Sequence, residues 1–183
     1  MTAELHDYQK RAVEFLHENP RAYLALRMGA GKTLSVLSAL RPEDLPVLVI
    51  GPKRVAERSW PKEIAKWRPD LSYAVAAGTP KKRQEAFERN ADITTVGFSN
   101  LADAPANYKT VVVDEASGIK NKTTKRWKEV RRLTKPADNR WLLSGTPAGN
   151  SLMDLWAQYA VLDEGQRLET SLTRFRTRYF YPA

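Results

Sequence analysis

Apolar residues fall in two rhythms along this chain, and the alternation between them predicts an α/β fold. Leu5, Tyr8, Ala12, Phe15 and Leu16 recur every three or four positions, which predicts an amphipathic helix ending before Asn19-Pro20. Short apolar runs bounded by turn residues follow at Tyr23 to Ala25, Val47 to Ile50, Tyr73 to Ala77, Ile93 to Val96, Thr110 to Val113 and Arg140 to Leu143, and each reads as a strand. Helical spacing returns between them. Val55, Trp60, Ile64 and Trp67 form one core-facing stripe, Lys81 to Arg89 is a charged helix, and Trp127, Val130 and Leu133 give Lys120 to Lys135 an apolar stripe. Leu152, Leu155, Trp156 and Tyr159 mark another helix, and Leu172 to Tyr179 a last one. Strands separated by helices predict a mostly parallel sheet with right-handed crossovers. No repeat or low-complexity linker interrupts the pattern.

Length and composition narrow the class. The chain has 183 residues, enough for one domain with a sizeable core, and 42% hydrophobic with 28% charged residues describes a globular protein. With no cysteine, neither a disulfide framework nor a thiolate metal site can form. No apolar run approaches the roughly 18 residues of a membrane span, and Met1-Thr2-Ala3-Glu4 lacks a signal-peptide pattern. The expected location is cytoplasmic, with no membrane partner. A net charge of +9 points to a polyanion, and eight Lys or Arg against one Glu between Lys120 and Lys135 concentrate it on one helix. A solvated basic face is the alternative reading of that helix.

The candidate chemistry starts at Tyr23 to Leu34, YLALRMGAGKTL, which reads as strand, phosphate loop and helix. Gly29 and Gly31 permit backbone conformations that turn several N–H groups toward one anion, and the helix starting near Lys32 adds its positive dipole end. Lys32 supplies an ammonium for the β and γ phosphates, and the Thr33 hydroxyl is a ligand for Mg²⁺. Leu26 stands where the full phosphate-loop pattern has glycine. Upstream, the Gln9 amide has the donor and acceptor to favour adenine over guanine. His6 and His17 read as exposed helix residues rather than ligands.

Two carboxylates end the strand at Thr110 to Val113. Asp114 is suited to hold Mg²⁺, directly or through water, and Glu115 to deprotonate the attacking water. An Asp-Glu pair at a helix N-terminus is the bland alternative. Lys53 and Arg54 fall just past a strand end, the edge where open α/β sheets place ligands, and read as phosphate contacts. Ser144-Gly145-Thr146-Pro147 ends the last strand, as a γ-phosphate sensor or a tight turn. Trp60 and Trp67 read as core. Arg174, Arg176 and Arg178 interleave with Phe175, Tyr179, Phe180 and Tyr181, a pattern that serves base stacking or docking onto a neighbour.

Taken together, the chain resembles the first RecA-like lobe of superfamily 2 helicases, and most closely the Swi/Snf-type DNA translocases, including bacteriophage forms. Leu5-His6-Asp7-Tyr8-Gln9 is similar to the family's adenine-reading segment, Met28 to Thr33 to motif I, and Val47 to Trp67 to the motif Ia region. Asp114-Glu115-Ala116-Ser117 is similar to motif II, with Ser117 where the family often has histidine or aspartate, and Leu142 to Trp156 resembles motif III with its following helix.

The resemblance implies a P-loop NTPase three-layer sandwich over residues 1–165, with 166–183 a helical extension toward a second lobe. It implies ATP and Mg²⁺ bound by Gln9, Met28, Gly29, Ala30, Gly31, Lys32, Thr33 and Leu34 with Asp114, and catalysis by Glu115, Asp114 and Lys32. Ser144, Gly145 and Thr146 would couple nucleotide state to DNA grip, and Lys53, Arg54, Ser99, Asn100, Lys120 and Lys122 would contact the nucleic-acid backbone. The chain ends where the family's second RecA-like lobe follows, so the expected partners are DNA and that lobe, in cis or in trans. The expected activity is that of a DNA-dependent ATPase, weak in this lobe alone. A non-catalytic DNA-binding or assembly module is the alternative, and a small-molecule kinase leaves the SGTP stretch and basic face without a use.

Overall fold

A computed structural model describes residues 4–180. Met1, Thr2 and Ala3 of the amino-terminal reading and Tyr181 of the arginine–aromatic stretch lie outside the described residues. Six strands, β1 (Arg21–Ala25), β2 (Val47–Gly51), β3 (Tyr73–Ala76), β4 (Ile93–Gly97), β5 (Thr110–Asp114) and β6 (Asn139–Ser144), form one parallel sheet in the order β1-β6-β5-β2-β4-β3. Seven α-helices accompany them among the described residues: α1 (Asp7–Glu18), α2 (Lys32–Ala39), α3 (Trp60–Trp67), α4 (Pro80–Glu88), α5 (Lys125–Thr134), α6 (Asp154–Asp163) and α7 (Leu172–Tyr179).

Both faces of the sheet are covered, and the strand period decides which core each residue joins. On β2, Val47 and Val49 pack with α1, α2 and α3, whereas Leu48 and Ile50 pack on the opposite side. β5 divides the same way, Val112 from Val111 and Val113, and β6 sends Trp141 and Leu143 one way and Leu142 the other. This two-sided burial is why these strands read as unbroken apolar runs rather than alternating ones.

The helices depart from the sequence reading in instructive places. On α1 the buried residues are Gln9, Ala12 and Leu16, while Tyr8 and Phe15 are exposed at 44% and 40%. The buried stripe is narrower than the apolar one and admits a glutamine. The basic helix is shorter than 120–135: Ala116–Ile119 is a 3₁₀ turn, and α5 begins only at Lys125, where the Thr124 hydroxyl accepts from Trp127 N. Lys120 and Lys122 therefore precede the helix. A single π-helical turn, Val55–Ser59, leads directly into α3. α7 is anchored by Phe175, buried against the core that contains α6.

The sheet order positions the site. β6 lies between β1 and β5, with Ala25 beside Ser144 and Leu143 beside Asp114. The loop after β6 thus leaves the sheet between β1 and β5, so that it, the loop after β1 and the carboxylates at the end of β5 all lie at the carboxyl edge, where open α/β sheets place ligands.

Candidate nucleotide and nucleic-acid sites

The loop between β1 and α2 is shaped by two left-handed residues, Gly29 (φ +76°) and Gly31 (φ +70°, the N-cap of α2). At Gly31 the requirement is also steric, because a Cβ there would fall on Gln9 Nε2. Gln9 is tied behind the loop: its Oε1 accepts from His6 N at 3.0 Å and its Nε2 donates to Ala30 O at 3.5 Å. Lys32 Nζ donates to the carbonyls of Leu26 and Arg27 at 3.0 and 3.3 Å. Leu26, at the position where a glycine was expected, packs against the core through its side chain and offers Lys32 its carbonyl.

Asp114 and Glu115 face this loop across a cavity of about 440 Å³. Its loop side is built by Met28, Gly29, Gly31, Lys32, Thr33 and Leu34, and its far wall by Val55, Ser59 and Glu63. The carboxylates are fixed differently. Asp114 is buried, its Oδ2 accepting from Trp60 Nε1 at 2.9 Å and its Oδ1 from Glu115 N at 2.9 Å. Glu115 sits in the left-handed region (φ 54°, ψ 54°), costing roughly 1–2 kcal/mol for a residue with a Cβ. That sharp turn is continued by Gly118 N donating to Glu115 O at 2.9 Å.

Two features were absent from the sequence reading. Trp60, read as core, is also the donor that orients Asp114. Val55, Ser59 and Glu63 recur every four residues, a spacing visible in the sequence, but of these only Val55 was assigned a place there.

Residues 144–147 do not line this cavity. They reach it through Gly145, whose Cβ position lies 3.4 Å from Met28 N and Cγ. The segment is clamped from beneath. Ser144 Oγ accepts from Thr146 N at 3.1 Å, and Gln158, fully buried on α6, donates to Pro147 O at 2.7 Å while accepting from Tyr23 Oη at 2.5 Å. Burial pushes the Tyr23 phenol above its ordinary pKa, partly opposed by a hydrogen bond with Ser144, so it stays a neutral donor.

A second cavity, about 380 Å³, opens on the other side of Glu115 and contains Lys53 and Ser99 among its lining residues. Arg54, Asn100, Lys120 and Lys122 are not in its wall. Lys120 pairs with Asp154 at 3.6 Å, and Lys122 lies 5.1 Å from the centre of the Trp156 ring.

Residues 8–162 match the SNF2-related domain family. The chain belongs to that family. Protein p41 of Acyrthosiphon pisum secondary endosymbiont phage 1 is 32% identical over 193 residues, a match covering 94% of this chain and 42% of p41. The ISWI chromatin-remodeling complex ATPase ISW1 of Saccharomyces cerevisiae is 30% identical over 177 residues, covering 86% of this chain and 15% of ISW1. The Sulfolobus solfataricus SWI2/SNF2 ATPase core, solved in complex with dsDNA, superposes with a TM-score of 0.85 at 30% identity, over 97% of this chain and 39% of that one. This SNF2-related chain thus spans about two fifths of the phage relative and of the solved core. The six-stranded parallel sheet with flanking helices is the RecA-like fold of that core. Family membership implies nucleotide use. Among the described residues, no helix is long and apolar enough to cross a membrane.

Proposed function

We propose that this chain is the ATP-binding lobe of a DNA-dependent ATPase of the translocase kind. The carrying observation is that Lys32 and Thr33 face Asp114 and Glu115 across one cavity. The donor set fits Mg²⁺: one hydroxyl and one carboxylate, both oxygen, with room for the water and phosphate ligands this ion usually keeps. Thr33 and Asp114 would hold the ion, which neutralises phosphate charge. Backbone N–H groups from Gly29 to Thr33 and the Lys32 ammonium would bind the phosphates. Glu115 then takes a proton from water as its oxygen bonds to the γ phosphorus and the bond to the ADP oxygen breaks. Gln9 reads adenine by exchanging its long contact with Ala30 O for the base, and Ser144, Gly145 and Thr146 pass nucleotide state to the DNA side. A second RecA-like lobe joins DNA as a partner and completes hydrolysis.

Mg-ATP at 100 times its dissociation constant should raise the melting temperature by about 5–10 °C, and Lys32→Ala should remove most of that shift. An equal shift in both proteins would refute the nucleotide reading. A pure scaffold has no need of these four residues together, so the same experiment tests it.

The Trp60 hydrogen bond predicts a separate effect. Trp60→Phe keeps most of the ring but frees the Asp114 carboxylate, and loss of such an orienting partner costs about 10- to 100-fold in metal affinity. Mg²⁺ titration of nucleotide binding measures this. Unchanged Mg²⁺ affinity would make Trp60 a core residue only.

A further inference from the structure

Glu115 lines both cavities, and the second one holds two cations without acidic partners. Among the described residues, neither Lys53 nor Arg126 makes an ion pair within 4.0 Å, and Glu115 is the only carboxylate in that wall. Arg126 is held nonetheless. Its guanidinium carbon lies 4.8 Å from the centre of the Phe98 ring, and its Nη1 donates to Gly118 O at 3.3 Å. Gly118 makes the fit close: a Cβ there would stand 3.4 Å from both Arg126 Nη1 and Phe98 Cε2. An arginine has five N–H donors, so four remain, in a planar fork suited to a phosphate diester.

Resting on the function proposed above, we infer that Arg126 is a backbone-phosphate ligand for the nucleic-acid strand, gripping with Lys53 a phosphate separated from the nucleotide cavity only by Glu115. The sequence reading counted Arg126 within a basic helix face but gave it no role, since nothing in the sequence places it against Phe98. A phosphate here sits beside a carboxylate and is repelled by it. Strand occupancy and hydrolysis thus meet at one side chain.

The test uses this 183-residue chain and mixed-sequence duplex DNA, with affinity measured by anisotropy between 50 and 200 mM salt. Removing one phosphate contact makes log K against log salt shallower by about 0.9. Arg126→Gln should therefore differ from wild type by a ratio that shrinks about 3.5-fold across that range. Lys128→Gln removes the same charge from α5 at a residue outside the cavity wall, and should change the slope less. Glu115→Gln should tighten binding by lifting the repulsion. Arg126→Gln indistinguishable from Lys128→Gln, or Glu115→Gln no tighter than wild type, overturns the inference and leaves the proposed function standing. Wild-type protein without salt-dependent DNA binding overturns both.

Discussion

Adding a second RecA-like lobe, fused or as a separate polypeptide, is expected to raise ATP turnover of this chain by about 10³- to 10⁵-fold. The reason lies in the charges lining the nucleotide cavity. Among the described residues, Lys32 is the only cation lining it, with Glu63, Asp114 and Glu115 in the same wall. Phosphoryl transfer redistributes negative charge onto the transferring and leaving oxygens, and arginines from a facing lobe would supply positive charge there that this cavity lacks. The measurement is steady-state phosphate release with Mg-ATP and DNA, with and without the added lobe, using Glu115→Gln as the blank. Equal turnover in both would show that the missing charge comes from within this chain, and the two-lobe requirement would fall.

The same assembly gives the second large effect. Glu115→Gln should lower single-turnover hydrolysis by about 10²- to 10⁴-fold, the usual contribution of a positioned general base. Nucleotide binding should persist, because the amide has the size of the carboxylate and removes a negative charge from the cavity. The left-handed backbone at residue 115 is unaffected by the exchange, so the loss is chemical rather than structural. A decrease below threefold would assign the base to another group.

The strands were legible because burial on both faces leaves a plain apolar signature: Val47 to Ile50 and Thr110 to Val113 needed no partner to be recognised. Their order was not. Nothing in Arg21 to Ala25 names Asn139 to Ser144 as its neighbour, since parallel pairing is set by crossovers rather than by side-chain matching. Tyr8 and Phe15 misled for a related reason. Helical spacing marks a possible stripe, but packing decides its width, and the residues that α1 buries are Gln9, Ala12 and Leu16.

The local shape of the loop was legible in the sequence, and long-range orientation was not. Gly29 and Gly31 shape the loop and Lys32 and Thr33 open the helix directly after it, so neighbouring residue types suffice to place them. Trp60 reaches Asp114 across 54 positions, and Tyr23 reaches Gln158 across 135. Trp60 looks like core in the sequence because it lies in an apolar stripe, and nothing local to Asp114 or Tyr23 names its partner. Lys120 and Lys122 illustrate the converse: their charge was visible, but their engagement with Asp154 and Trp156 depends on how the turn before α5 packs.

The position of β1 at the sheet edge, with β6 as its one strand neighbour among the described residues, bears on how the molecule is made. During synthesis β2, β3, β4 and β5 can associate while β1 waits, since its hydrogen-bonding partner leaves the ribosome only near the end of the sheet. Contacts between distant parts of a chain form late because loop closure opposes them. The phosphate loop is therefore secured after the rest of the sheet, so a nascent chain has no settled nucleotide pocket until the β6 segment has emerged.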